Sequence, residues 1–149
     1  MTAPMNFTPP NLVDRTVNRA FGLLLKLGIG LKHNYLLEVR GRKTGKIHAT
    51  PVNVLEYKSK KYLVAPRGYT QWVRNVDAGG ESALVRGGRR EAIKPRSVAE
   101  ASKAEILKVY LDCFRLTVQR YFPVPAGSPV EVFEPLKGRY PVFEVAGNG

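Results

Sequence analysis

The sequence predicts an α+β domain in which short antiparallel strands close into a small barrel or a strongly bent sheet, with helices packed outside. Three observations carry this expectation. Strand-length runs with alternating polarity are joined by tight turn signals at Lys58-Ser59-Lys60 and Gly87-Gly88. Two longer stretches, residues 12–31 and 98–122, repeat apolar residues at three- and four-residue steps. Strands do not alternate one-for-one with helices, which argues against a doubly wound nucleotide fold. With 149 residues, the chain suits one domain that buries roughly two thirds of its unfolded surface.

Residues 1–11, with Pro4, Pro9 and Pro10, are expected to be a flexible lead-in, leaving 12–149 as the single domain. From Leu12 to Leu31, Val13, Val17, Phe21, Leu24 and Leu27 form one stripe, with Arg15, Arg19 and Lys26 opposite. Such an amphipathic helix either covers the core or lays its apolar stripe and cationic flank on an anionic membrane. Tyr35 to Val39 reads as the first strand and Ala49 to Tyr57 as the second. Pro51 to Tyr57 and Lys61 to Ala65 then flank a hairpin turn. Ala65-Pro66-Arg67-Gly68 should break the ladder and leave backbone donors at the rim of the sheet.

Thr70 is the expected N-cap of a short helix, Gln71 to Ala78, closed by Gly79-Gly80. A second hairpin follows, Glu81 to Arg86 and Arg89 to Arg96. Ser97-Val98-Ala99-Glu100 has the form of a capping box, predicting the longest helix from there to about Phe122, ended by Pro123 and Pro125. Its apolar side holds Ile106, Val109, Tyr110, Cys113, Phe114 and Val118. Tyr140 to Val145 is the expected last strand.

Lys and Arg number 24 against 12 Asp and Glu, a formal charge of +12 that predicts an anionic partner: nucleic acid, a membrane surface or an acidic small molecule. Nucleic acid is the least favoured of these, because no helix-turn-helix, RRM or zinc signature is present and aromatics do not interleave with cations on one strand face. One cysteine excludes an intramolecular disulfide, and Cys113 reads as a small core residue. Two histidines without a Cys/His cluster give a metal site no support. No apolar run reaches transmembrane length and no secretory leader pattern opens the chain, so the expected location is cytoplasmic, with peripheral contact on the inner face of the membrane through residues 12–31.

The densest chemistry lies in Arg40-Gly41-Arg42-Lys43-Thr44-Gly45-Lys46, followed by His48 and Thr50-Pro51. A tight connection between two strands brings backbone N–H groups, a Thr hydroxyl and fixed positive charge to one surface point, which suits phosphate or a run of carboxylates. The spacing is not that of a P-loop, and a solvated basic turn is the plain alternative.

That loop, preceded by Leu36-Leu37-Glu38-Val39 and followed by Thr50-Pro51, the strand Tyr62-Leu63-Val64-Ala65 and the helix Gln71-Trp72-Val73-Arg74-Asn75, resembles the deazaflavin (coenzyme F-420)-dependent nitroreductase and quinone reductase family. The resemblance implies a split β-barrel like that of flavin-binding oxidases, with a deazaflavin in a groove beside it. It further implies that Arg42, Lys43 and Thr44 hold the coenzyme's phosphate and that His48, Ala49, Thr50 and Pro51 flank the same part. Ala65, Pro66, Arg67 and Gly68 would run along the ring system, and Gln71, Trp72, Val73, Arg74 and Asn75 would close the phosphate side. The implied activity is hydride transfer from the reduced coenzyme to a quinone, nitro compound or activated alkene, the cofactor carrying the chemistry and the protein the placement. Tyr69, Tyr110 and Tyr121 are candidates to reach the groove as hydrogen-bond or proton donors. The members' usual Gly-Gly stretch and longer loop before the Trp helix are missing here, which leaves the acceptor open. The rival reading is a non-catalytic basic binding module for a lipid or membrane surface or, less favoured, nucleic acid.

Overall fold

A computed structural model of the chain describes residues 33–147. The lead-in expected over 1–11 and the amphipathic helix expected over 12–31 lie outside the described residues. Among the described residues, six strands form a closed antiparallel barrel: β1 (Asn34–Arg40), β2 (Ile47–Tyr57), β3 (Lys60–Val64), β4 (Ser82–Arg86), β5 (Arg89–Ser97) and β6 (Val142–Gly147). The order around the barrel is β1-β2-β3-β6-β5-β4, closed by β1 against β4 with Leu36 opposite Val85. The last strand of the chain fills the gap between β3 and β5, with Leu63 opposite Phe143 and Lys94 opposite Ala146.

Period-two alternation decides which side chains enter the barrel. Leu37, Val39, Val54, Leu63, Leu84, Ile93 and Phe143 fill the interior, while their neighbours Leu55, Tyr62, Val64 and Val142 face outward into a second cluster. Helix α1 (Gln71–Asp77) sits at the end of β1, and helix α2 (Glu100–Val118) covers the outward cluster. Ala104, Leu107, Leu111 and Val118 recur at helical spacing on its buried face. Each leucine wholly withdrawn from water there contributes roughly 1.5–3 kcal/mol.

Several expectations are corrected. The first hairpin turn has two residues, not three: Lys58 (φ 51°) and Ser59 (φ 65°) both take the left-handed conformation and Lys60 already belongs to β3. Ser97 does not cap α2, because it lies in β5 opposite Phe143; the N-cap is Ala99, with no side-chain bond. Cys113 is exposed, on the outer side of a helix that kinks at Phe114 (φ −115°). The α-helix stops at Val118 and continues as a 3-10 turn over Gln119–Tyr121.

A ten-residue 3-10 segment, Val130–Arg139, was not expected at all. Phe133 and Leu136 are buried against α2 and repeat at three residues, the period at which a 3-10 helix stacks its side chains. Pro129 and Pro135 mask this pattern in a search for helices of period 3.6. No helix among the described residues is long and apolar enough to cross a membrane.

Candidate functional site

β2 pairs with β1 through Ile47–Asn53 but with β3 only through Val54–Tyr57. On the β3 side, the first half of β2 therefore has no strand beside it. Pro51 sits in that half, where its missing N–H disrupts no ladder bond on the open side. A groove of about 860 Å³ opens along this edge, walled by the chain after β3, by α1 and by the C-terminal end of α2.

At one end stands the basic loop. It is closed on itself by hydrogen bonds from Gly41 N to Lys46 O (2.7 Å) and from Gly45 N to Gly41 O (3.0 Å). Gly45 supplies the left-handed residue (φ 75°), and Arg40 Nη1 donates to its carbonyl at 2.6 Å. The loop is then stapled to α1 by the buried Asn75, whose Oδ1 accepts from both Arg42 N (3.1 Å) and Arg42 Nη1 (2.7 Å). Arg42 Nη1 also donates to Gln71 Oε1 at 3.0 Å. The Asn75 carbonyl accepts from Gly80 N (2.9 Å), and a side chain at position 80 would place its Cβ 2.5 Å from the Arg40 carbonyl. Only glycine lets α1 close on β1 there.

All partners of the Arg42 guanidinium are neutral, and Lys43 makes no hydrogen bond or ion pair among the described residues. Arg42, Lys43, Arg67 and Arg120 line the groove without an Asp or Glu among its lining residues. Among the described residues, the lining therefore carries positive charge and no negative charge. The imidazole of His48 lies over Gly41, within 3.0 Å of where a Cβ would stand.

Of the residues expected here, Arg42, Lys43, Thr44, His48, Ala49, Thr50, Pro51, Ala65, Pro66, Arg67, Gln71, Trp72 and Asn75 line this one groove. Gly68, Val73 and Arg74 do not. Val73 is wholly buried in the barrel core, and Arg74 turns back to donate through Nε to the Tyr69 carbonyl at 3.2 Å. Trp72 lies between groove and core, its ring 5.8 Å from that of Phe143. Tyr69 does not line the groove; Tyr110 and Tyr121 do.

The rim offers fewer backbone donors than expected. Ala65 N donates to the Pro141 carbonyl and Gly68 N to the Ala65 carbonyl, while Pro66 has no N–H. Thr70 occupies the N-cap position of α1 without making a side-chain cap bond. Its Oγ1 is instead buried in the groove wall without a partner among the described residues, an orphaned hydroxyl of the kind that a bound ligand satisfies.

The far end is built from residues that the sequence did not bring together. Asn34 Nδ2 donates to Asn53 Oδ1 across the β1–β2 pair, and Asn53 Nδ2 donates to Thr117 Oγ1 at 3.3 Å. Asn53 also lies against the hydroxyl of Tyr110, whose burial pushes its phenol well above the usual range and keeps it protonated. Arg120 Nη2 donates to Tyr121 Oη at 2.6 Å, with the guanidinium 4.8 Å from the ring centre. The one sequence signal for this end is a pair of asparagines at strand positions otherwise filled by apolar residues.

A closed barrel with half of one strand unpaired on one side, a cationic loop at one end of that edge and an aromatic wall beside it is of the split-barrel class. A family model described as F420H(2)-dependent quinone reductase matches residues 14–118, and the chain belongs to that family. It is thus an oxidoreductase that works with reduced coenzyme F-420. Among solved structures, an F420-H2 dependent reductase (FDR-A) aligns with a TM-score of 0.52 at 18% identity, over 77% of this chain and 95% of that one. A chain described as a domain-swapped dimer aligns with a TM-score of 0.55 at 17% identity, over 90% and 96%. Atu2129, a protein of unknown function from Agrobacterium tumefaciens strain C58, gives 0.58 at 14% identity, over 99% of this chain and 60% of that one. At these identities the likeness is one of fold. The comparison with curated proteins gave no match.

Proposed function

We propose that the protein binds reduced coenzyme F-420 along the open edge of β2 and directs its hydride to a quinone-class acceptor in the same groove. Family membership supports the quinone over a nitro compound or an activated alkene, which share the electron-poor character that hydride transfer needs. The observation that carries the reading is that one groove joins the Arg42-Lys43-Thr44 loop to the Ala65–Arg67 rim.

The residues fit the group. A phosphate with a carboxylate tail is a polyanion, and among the described residues the groove is lined by four cations and no acid. Its 860 Å³ lies within the range of roughly 300–1,000 Å³ typical of small-molecule sites. Arg42 is held in place beforehand by Asn75 and Gln71, which reduces the ordering cost of binding an anion. Lys43 is uncommitted and available as a point charge. Thr44 Oγ1 accepts from Lys46 N (3.2 Å), so its own proton remains for a phosphate oxygen. Thr70 Oγ1 gains a partner from a ligand lying against the wall, while Trp72 and the Ala65–Arg67 edge bound a flat ring. The coenzyme, when bound, supplies the hydride, and the chain supplies position and electrostatics.

Lys43→Ala is expected to weaken coenzyme binding at least about tenfold, since charge-assisted contacts to phosphate contribute roughly 1.5–3 kcal/mol. A titration followed by deazaflavin fluorescence measures this, with flavin mononucleotide as the comparison ligand. Equal affinity of wild type and variant would remove the loop from the site.

A further inference from the structure

We propose that Thr70 is a specificity-determining residue of the groove, whose hydroxyl takes up the hydroxylated linker between the coenzyme's phosphate and its ring system. This rests on the groove being the coenzyme site and names the part of the coenzyme that one wall recognises.

Among the described residues, Thr70 Oγ1 is the buried side-chain polar atom left without a partner. The other small buried polar side chains have theirs: Asn34 donates to Asn53, Asn75 accepts from Arg42, and Ser82 Oγ donates to the Gly80 carbonyl at 3.0 Å. A threonine at an N-cap ordinarily accepts a first-turn N–H, and Thr70 does not. Its backbone is engaged instead, since its N donates to the Gly68 carbonyl (2.9 Å) and its carbonyl accepts from Arg74 N (3.2 Å). Only the hydroxyl is left over, with one proton to give and lone pairs to receive. A buried hydroxyl in that state destabilises the free protein.

The place of Thr70 in the wall selects the part of the ligand it meets. On one side it adjoins Gln71, which accepts from Arg42 Nη1 at 3.0 Å and so borders the phosphate loop. On the other it is tied through Gly68, whose N donates to the Ala65 carbonyl at 3.0 Å, to the rim that bounds the ring. A molecule that joins loop to rim passes Thr70 with its linker.

Chemistry selects the same part. A phosphate only accepts hydrogen bonds and is already met by Arg42 and Lys43. The flat face of a ring neither donates nor accepts in the plane of the wall. The ribityl chain of a deazaflavin carries hydroxyls that do both, as Thr70 does. The residue as a whole is half-buried, so a turn about χ1 to another staggered position brings Oγ1 to the groove, and no bond is broken in turning.

The consequence is an opposition between stability and binding. Valine keeps the shape of threonine and lacks the hydroxyl, so Thr70→Val removes the orphan from the free protein and the contact from the complex. A hydroxyl that served the fold would instead lower stability when removed.

The test titrates the full chain, as wild type, Thr70→Val and Thr70→Ser, with three probes followed by deazaflavin fluorescence: the oxidised coenzyme, the same ring bearing the free polyol chain without phosphate, and the same ring bearing a methyl group in place of the chain. Thr70→Val is expected to weaken the first two by the same factor, roughly two- to tenfold. The methyl compound should bind wild type and Thr70→Val alike, or neither. Thr70→Ser should stay within about twofold of wild type, and the melting temperature of free Thr70→Val should match or exceed that of wild type. Unchanged affinity of Thr70→Val for the coenzyme would overturn the assignment. So would an equal loss with the methyl compound, which would set Thr70 against the ring, or a lowered melting temperature, which would give the hydroxyl to the fold. A wild type that binds none of the three probes would overturn the reading of the groove itself, whereas binding of the coenzyme without any effect at position 70 would overturn the role of Thr70 alone.

Discussion

The two ends of the groove are made in opposite ways. The cationic end is a single run of seven residues, folded by its own backbone bonds and then docked on α1 through Asn75. The far end has no contiguous stretch: Asn34 comes from β1, Asn53 from β2, Tyr110 and Thr117 from α2, and Arg120 and Tyr121 from the 3-10 turn beyond it. Charge can be offered by a local turn, because attraction to a polyanion tolerates small errors of position. The hydrogen bonds that join Asn34, Asn53 and Thr117 at the far end need elements fixed by barrel closure, because a hydrogen bond weakens steeply with angle.

If the ends are independent, damage to the first should spare the second. The largest effect is expected at Gly80, where an added Cβ meets the Arg40 carbonyl at 2.5 Å and a backbone atom must move. Gly80→Ala should cost roughly 2–3 kcal/mol in urea denaturation. A loss under about 0.5 kcal/mol, within the range of ordinary surface substitutions, would show that α1 does not close on β1 as described. Next comes Asn75→Ala, which leaves the Arg42 N–H and guanidinium without their shared acceptor. It should lower stability by about 1–3 kcal/mol and coenzyme affinity with it, while the quinone Kd, read from quenching of Trp72, the single tryptophan of the chain and a groove residue, stays within about twofold. Equal losses at both ends would break the distinction between them.

The same contrast explains what was legible beforehand. The basic loop, the strands around it and the Trp72 helix could be read because their signals are local: glycines at a turn, alternation along a strand, a cap followed by a helical stripe. Arg74 was placed at the site with the rest of the Gln71–Asn75 helix by the family resemblance, but a motif does not say which way each side chain of a helix turns, and Arg74 faces Tyr69 instead. Cys113 was read into the apolar stripe of α2, but the buried face runs through Ile106, Leu107, Tyr110 and Leu111 to Val118 and leaves the thiol outside it. The 3-10 segment escaped because its prolines broke the period being sought, although Phe133 and Leu136 keep a period of three. The far end of the groove was not legible because the pairing of Asn34 with Asn53 is a matter of register between strands, which no single stretch encodes.

The smallest effect should touch neither end. Lys103 lies at the start of α2, far along the helix from Thr117, and is buried with its Nζ 3.9 Å from Glu100 Oε1. Burial pulls its ammonium below the ordinary lysine value of 10.5; Glu100 opposes this and Lys137 adds to it. A base whose folded value is depressed holds its proton less tightly in the folded state, so the charge destabilises the fold at neutral pH. That penalty fades as pH rises through the depressed folded value toward 10.5. Lys103→Met should therefore raise the melting temperature by a few degrees at most at pH 7, and the gain should shrink as the pH approaches 10. Coenzyme and quinone affinities should both be unchanged, which makes this variant the control for the two ends. A gain that grew with pH would reverse the sign of the argument and show that the Glu100 pairing, rather than burial, dominates at Lys103.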